Sequence, residues 1–315
     1  MDTKRRVRVA LDAMGGDYAP GDIVEGAVRG AEKTGAEVIL VGQSDVVQAE
    51  LAKYDTADLP LRCVHADEVV TEYENPGLAV RRKQDASINV AARLVRSGEA
   101  DCLLSAGPTG AVVISTIQNL GLIEGVERPV MGGAIFDTAP NTIVFDLGVN
   151  VDCKPYHLLT FAAIGTAYCK KLLGIARPTV GLLNIGAEES KGNQLTKETH
   201  ALLKASSLNF IGNIEGNQMM SGRANVLVCD AFVGNILFKL VESLGLFHDS
   251  AGGDEEGDLA GGIVWGLSGI VRKLHGASRA PHVALKIGHA KQVVEVDLVN
   301  AVKAELTATL KGIKR

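Results

Sequence analysis

Residues 179–194, TVGLLNIGAEESKGNQ, run from an apolar segment into a dense group of polar residues. The span from Thr179 to Ile185 has the continuous apolar character of a strand that is buried on both faces, as in parallel sheets. A glycine, two glutamates, Lys191 and a Gly-Asn pair follow directly. The segment therefore predicts a buried strand that ends in a polar turn.

The same pattern recurs along the chain, with helical segments between the strands. Further strand candidates are Val7 to Leu11, Glu37 to Val41, Asp101 to Ser105, Thr142 to Leu147, Leu208 to Gly212 and Val226 to Asp230. This alternation predicts a mostly parallel sheet wrapped by helices. We expect one domain spanning 1–315, with a flexible Gly/Asp/Glu-rich loop at 247–262.

Two helices are predicted most clearly. One begins at Pro155, which suits a first helical position, and ends before Gly174, which suits a C-terminal cap. The other lies near the C-terminus, where four apolar residues recur four apart and form one stripe of a surface helix: Leu298, Val302, Leu306 and Leu310.

Composition excludes several functional classes. A net charge of −5 supplies no basic field for nucleic acid. No apolar run approaches the roughly 20 residues of a membrane-spanning helix, so we expect a cytoplasmic protein that contacts a bilayer at most peripherally. The five cysteines form no C-x-x-C pair and are predicted to be reduced core thiols. No metal site and no cofactor is predicted.

Four other strands also end in acidic or hydroxyl residues followed by glycine: VALDAMGGD, LLSAGPTGA, VFDLGVNVD and VCDAFVGN. For any single turn, ordinary helix capping explains such residues. The whole set, with Glu188, Glu189 and Lys191 packed beside Gly192 and Asn193, favours a ligand site at the carboxyl ends of the strands.

Glycine turns that lead into helix N-termini favour an anionic ligand, since they expose backbone N–H groups. The predicted phosphate-binding residues are Ser105, Gly107, Thr109, Gly110 and Gly192. No G-x-G-x-x-G, P-loop or G-x-S-x-G motif is present. The basic run 81–83 is either a solvated helix turn or a landing surface for an acidic protein.

Six motifs taken in order resemble the bacterial phosphate acyltransferases: VALDAMGGDYAP, the span 80–111, DLGVNVDCKP, GLLNIGAEESKGN, FIGNIEGN and CDAFVGNILFK. The resemblance covers Val7 to Lys239. It implies a three-layer α/β/α sandwich like those of isocitrate/isopropylmalate dehydrogenases and phosphate acetyltransferases. It also implies transfer of a long-chain acyl group from acyl carrier protein to inorganic phosphate, the first step toward phosphatidic acid in bacterial phospholipid synthesis.

The resemblance further implies a homodimer at the membrane surface that supplies a membrane glycerol-phosphate acyltransferase. We expect the catalytic groups to be Lys191, Asn193, Asn184, Glu188 and Asp230. The residues expected to orient the substrate are Asp12, Gly15, Gly16, Asp146, Asn150, Asn213, Glu215 and Asn235.

Three departures from the family pattern keep alternatives open. Pro108 replaces the family's asparagine and removes a backbone N–H from the SAGPTGA turn. Past Ser243 the acidic loop replaces a helical segment. Arg272 and Lys273 fall where apolar residues are usual, so that strand is expected at an edge or in a diverged region. The alternatives are a weakened paralogue that binds acyl carrier protein, and a short-chain phosphotransacylase or dehydrogenase on the same fold.

Overall fold

The structure is a computed structural model that describes residues 5–136, 138–245 and 262–313. These residues divide into two compact units. The first comprises 5–121 and 262–295, and the second comprises 122–136, 138–245 and 296–313. Of the predicted loop at 247–262, all but Gly262 lies outside the described residues.

The strands of the first unit, numbered in chain order, are β1 Arg8–Asp12, β2 Glu37–Gly42, β3 Leu61–His65, β4 Cys102–Ser105, β10 Ile263–Trp265 and β11 Ile270–Lys273. They are ordered β3-β2-β1-β4-β11-β10, and every pair is parallel except β10 with β11. The helices are α1 Gly21–Thr34, α2 Ser44–Leu51, α3 Pro76–Arg82, α4 Ser87–Arg96, α5 Thr109–Leu120 and α9 Ala280–Glu295.

Close packing of α1 against α9 depends on two glycines one turn apart. A Cβ atom on Gly26 would lie 2.5 Å from Cβ of Val283, and one on Gly30 would lie 2.6 Å from Cδ1 of Ile287. Both distances are far below van der Waals contact, so only glycine allows this approach. The α1–α9 pair ties the C-terminal part of the first unit to its N-terminal part.

The strands of the second unit are β5 Val130–Ala134, β6 Ile143–Phe145, β7 Val180–Asn184, β8 Phe210–Glu215 and β9 Val226–Val228. They are ordered β5-β6-β9-β7-β8, with only β5 and β6 antiparallel among the described pairs. The helices are α6 Pro155–Leu172, α7 Gln194–Ala205, α8 Ala231–Ser243 and α10 Leu298–Leu310.

The two helices predicted most clearly are confirmed in this unit. Helix α6 begins at Pro155, and Gly174 takes the left-handed conformation just beyond its end, with φ +68°. Helix α10 packs against α6 through its predicted stripe, of which Leu298, Val302 and Leu306 are buried. Across the described ranges of both units, no helix is long and apolar enough to cross a bilayer.

Candidate functional site

The ends of β1 and β4 meet in a buried hydrogen-bonded cluster in the first unit. The hydroxyl of Ser105, which is fully buried, donates to Oδ2 of Asp12 at 2.7 Å. The Ser105 oxygen in turn accepts from the N–H of Gly107 at 3.0 Å. Burial raises the pKa of Asp12, although hydrogen bonds from Ser87, Ser105 and the backbone of Met14 oppose the rise. The predicted phosphate donors Ser105 and Gly107 are thus already engaged with each other and with a carboxylate.

Two glycines in the turn after β1 allow it to lie against the turn after β4. A Cβ atom on Gly15 would lie 2.6 Å from Oδ2 of Asp12 and 2.7 Å from the backbone nitrogen of Gly107. Gly16 has φ +112°, a conformation that glycine adopts without strain. Both glycines were predicted to orient substrate, and in this geometry they hold the two turns together.

The other two predicted phosphate ligands of this unit, Thr109 and Gly110, begin helix α5 and are partly exposed. Pro108 is the residue before them, and its carbonyl accepts from the N–H of Val112 at 3.0 Å. A proline before the first turn leaves the N–H groups inside the turn intact. The departure from the family motif therefore still allows the helix to start here.

Lys273 is a buried cation that the sequence prediction misjudged. Strand β11 lies between β4 and β10, so of the two alternatives expected for this segment, the edge strand is wrong. The side chain is only 7% exposed, and its Nζ donates to the carbonyl of Leu274. Burial lowers the lysine pKa to about 8, and the nearby carboxylates of Glu72, Asp17 and Asp12 oppose that fall. The sequence alone did not indicate this burial, because the carboxylates near Lys273 come from distant segments of the chain.

In the second unit, Asp146 organises the turn after β6. Its buried carboxylate accepts from the N–H groups of Gly148, Val149 and Asn150 at 2.9–3.1 Å, and from the Asn150 side chain at 2.6 Å. Burial raises the pKa of Asp146, whereas these hydrogen bonds favour the charged form. Asn235 of α8 donates to the carbonyl of Leu147 at 3.1 Å, so it holds the same turn.

The polar turn that follows β7 is folded by Asn184. Its side-chain oxygen accepts from the N–H of Ile185 at 2.8 Å, and its amide donates to the carbonyl of Lys191 at 3.2 Å. Gly192 has φ +92°, and a Cβ atom there would lie 2.1 Å from Oγ1 of Thr196. The polar turn within residues 179–194 is therefore held closed by hydrogen bonds of the Asn184 side chain, and its last residue, Gln194, begins α7.

Two predicted catalytic residues are helix N-caps. The side chain of Asn193 accepts from the N–H of Thr196 at 2.9 Å and caps α7. The side chain of Asp230 accepts from the N–H of Val233 at 2.9 Å and caps α8. Both cap residues line the same cavity, so the N-termini of α7 and α8 lie beside it.

Glu188 and Lys191 are exposed, and the Lys191 ammonium lies 4.0 Å from the Glu188 carboxylate, a distance too long for a hydrogen bond. The backbone carbonyl of Glu188 accepts from Asn213 at 2.8 Å. Glu189 instead pairs with Lys204 at 2.6 Å. Lys191 thus keeps most of its charge available to a ligand.

The elements around this turn enclose a cavity of about 620 Å³. Four of the predicted residues line it: Asn184, Gly192, Asn193 and Asp230. Glu215 ends the neighbouring strand β8, directly before the lining residue Gly216. Most of the remaining lining is aliphatic. The polar strand ends of β7 and β9 therefore share one concave site.

All five cysteines are free thiols, as predicted, but only Cys102, Cys169 and Cys229 lie in the core, whereas Cys63 and Cys153 are partly exposed. Burial raises the pKa of Cys153 to about 12, with Asp146 and Asp230 adding to the rise. The surroundings of Cys153 therefore keep its thiol neutral, and a neutral thiol is a weak nucleophile.

Comparisons with known proteins agree with this geometry. A family model described as "Fatty acid synthesis protein" matches residues 7–255. A phosphate acyltransferase of Desulforamulus reducens is 40% identical over 326 residues, covering 95% of this chain and 97% of that relative. One of Syntrophomonas wolfei subsp. wolfei is 41% identical over 316 residues, covering 96% and 99%. This chain belongs to the phosphate acyltransferase family.

Solved structures support the fold predicted for this phosphate acyltransferase. A phosphotransacetylase from Streptococcus pyogenes matches with a TM-score of 0.66 at 20% identity, covering 92% of this chain and 94% of that one. A 4-hydroxythreonine-4-phosphate dehydrogenase from Klebsiella pneumoniae matches with a TM-score of 0.59 at 13% identity, covering 92% and 98%. The predicted α/β class, with a mostly parallel sheet and flanking helices, is confirmed.

Proposed function

We propose that this phosphate acyltransferase moves a long-chain acyl group from acyl carrier protein to inorganic phosphate. A phosphate oxygen attacks the thioester carbonyl carbon, a C–O bond forms, the C–S bond breaks, and the carrier leaves as a thiolate. Thiolates are fair leaving groups, so positioning and charge stabilisation dominate the catalytic requirement. The products are acyl phosphate, a precursor for phosphatidic acid, and the free carrier.

The observation that carries this proposal is an exposed lysine that directly precedes two residues lining an apolar cavity. Lys191 is followed by Gly192 and by Asn193, the cap of α7, and both of these line the cavity. A lysine beside the N-terminus of a helix suits an inorganic anion, whereas aliphatic walls suit a hydrocarbon. We assign phosphate to Lys191 and the α7 N-terminus, and polarisation of the thioester carbonyl to the amides of Asn184 and Asn193.

The remaining predicted residues take supporting roles in this proposal. Glu188 orients Lys191, Asn213 fixes the backbone of Glu188, and Asp230 fixes the start of α8. In the first unit, Asp12 and Ser105 shape the turn that precedes Thr109 and Gly110, and the anion-binding role predicted for these two residues is separate from this assignment.

The test is acyl-phosphate formation from palmitoyl-acyl carrier protein and phosphate, with the product trapped by hydroxylamine as the hydroxamate. Lys191→Ala and Asn193→Ala are expected to lower the rate about 10²- to 10³-fold, because each removes a group that stabilises developing negative charge. Lys171→Ala is the matched control, since it removes an exposed lysine from the last turn of α6 that does not line the cavity. Rates for both site variants within about threefold of the unaltered protein would refute the assignment. Acetyl-coenzyme A used in parallel tests the short-chain alternative.

The proposal also covers assembly and location. We propose one phosphate acyltransferase domain across 1–315 that forms a homodimer in the cytoplasm, contacts the membrane surface and delivers acyl phosphate to a membrane glycerol-phosphate acyltransferase. Helix α8 supports an interface, because Phe232, Ile236 and Leu240 form a stripe that is 51–61% exposed. Exposed Arg81 and Arg82 at the end of α3 suit an acidic carrier. Light scattering and vesicle flotation test the dimer and the membrane contact separately.

A further inference from the structure

The cavity of the second unit changes character with depth. Its floor is formed by Leu158, Leu182, Met219 and Cys229, all of which are buried to at least 92%. Its rim carries amide and carboxylate groups on partly or fully exposed residues, of which Asn193 is the most open. A ligand that fills this cavity must therefore be apolar at one end and polar at the other.

The floor carries no charge. Burial raises the pKa of the Cys229 thiol well above its ordinary value, and the carboxylates of Asp230 and Asp146 add to that rise, so the thiol stays protonated. The thiol donates to the carbonyl of Asp146, with 3.8 Å between Sγ and the oxygen. Leu158, Leu182 and Met219 offer only dispersion contacts. A sugar or phosphate placed against this floor would lose its hydration without gaining partners, whereas a hydrocarbon loses nothing.

The size of the cavity also suits a chain molecule. Its volume of about 620 Å³ lies within the roughly 300–1,000 Å³ typical of small-molecule sites. Val233 and Leu237 lie four residues apart on α8 and line one wall. Met219, on the short 3₁₀ helix Gly216–Ser221, has the flexible side chain that adapts to irregular apolar ligands.

We propose that this cavity binds the hydrocarbon tail of the acyl substrate and thereby sets chain-length preference. The thioester lies at the rim, beside Asn184 and Asn193, and the chain extends inward past Leu237 to the floor. This inference rests on the proposed acyl transfer to phosphate, and it adds the location of the tail. Each methylene buried in such a site is worth about fourfold in kcat/KM, so longer chains gain more from it.

The test places bulk inside the cavity and, separately, the same bulk outside it. Leu237→Trp fills the wall, whereas Lys239→Trp puts the same side chain at an exposed position of α8 that does not line the cavity. The readout is kcat/KM for palmitoyl- and octanoyl-acyl carrier protein. Leu237→Trp is expected to lower the palmitoyl value at least about tenfold and the octanoyl value less than about threefold, because only the longer chain needs the occupied volume. Lys239→Trp is expected to leave the palmitoyl-to-octanoyl ratio unchanged.

Equal losses for both chain lengths, or no loss for either, would overturn the cavity assignment while leaving acyl transfer intact. A wild-type protein that forms no acyl phosphate from any acyl carrier protein would instead overturn the proposed function. Leu237→Phe is a smaller change that tests the same expectation if the tryptophan variant fails to fold. Displacement of the fluorescent fatty acid cis-parinarate by palmitate gives a readout that needs no turnover. The cavity variants are expected to weaken palmitate binding at least about tenfold relative to Lys239→Trp.

Discussion

The buried lysine of β11 gives the stability of this protein a distinct response to alkaline pH. Lys273 has a pKa of about 8 in the folded chain, against an ordinary value of 10.5. Between these values the folded state binds fewer protons at this site than the unfolded state, so the free energy of unfolding rises with pH. The lowered pKa of Lys273 destabilises the folded state by about 3 kcal/mol at about pH 7.5 and by about 1 kcal/mol at about pH 10.

The measurement is urea unfolding of the unaltered protein and of Lys273→Met at these two pH values. Methionine keeps the length and apolar stem of the side chain and removes the titrating group. The stability difference between the two proteins is expected to shift by about 2 kcal/mol in favour of the lysine form as the pH rises. Titrating groups that do not interact with Lys273 are shared by both proteins and cancel in the comparison. A pH-independent difference would refute the account of a desolvated ammonium.

Three further substitutions are expected to destabilise the fold. Gly234→Ala places a Cβ atom 1.8 Å from the backbone oxygen of Asp146, so α8 must shift and the free energy of unfolding falls by about 1–3 kcal/mol in a thermal melt. Ser105→Ala removes a hydrogen bond that favours the charged form of the buried Asp12 carboxyl group, and it costs about 1–3 kcal/mol. Leu306→Ala leaves a cavity between α10 and α6 and costs about 2–5 kcal/mol in urea.

Each of these changes has a control. Gly133→Ala adds a Cβ atom with no neighbour within 4 Å, and Leu78→Ala truncates a leucine that is 53% exposed; both are expected to change stability by less than about 0.5 kcal/mol. For Ser105→Ala, the loss is expected to be smaller in acid than at higher pH, because the hydrogen bond that is removed favours the charged form of Asp12. A loss that does not vary with pH would contradict the role given to that hydrogen bond.

Seven strands and the polar residues at several of their ends followed from local pattern, whereas β3, β5 and β10 were not predicted. The segment 179–194 predicted a buried strand and a polar turn, and β7 with its Asn184-centred turn has that form. This works because buried parallel strands and turn residues each leave a short-range signature in composition. The same reasoning also predicted α6 from the residues at its two ends and α10 from its apolar stripe, because both signals come from residues close together in the sequence.

Features that depend on contacts between distant parts of the chain could not be predicted from the sequence. The placement of β11 beside β4 joins residues about 170 positions apart, and no local pattern reports that Lys273 becomes central and buried. The apolar cavity is another case, since Leu158, Met219 and Cys229 come from three separate segments. Ser105 was predicted as a phosphate donor because its motif is glycine-rich, yet its partner Asp12 follows another strand. The phosphate-binding and catalytic roles stay predictions.

The insertion of β11 next to β4 matters while the protein is being made. A ribosome that has released only the first 121 residues has delivered β1 to β4 without the strand that flanks β4 in the finished sheet. The open edge of β4 then presents unpaired backbone groups, and such edges recruit other chains. We expect that edge to stay open until residues 270–273 emerge, so the partly synthesised chain is prone to aggregation.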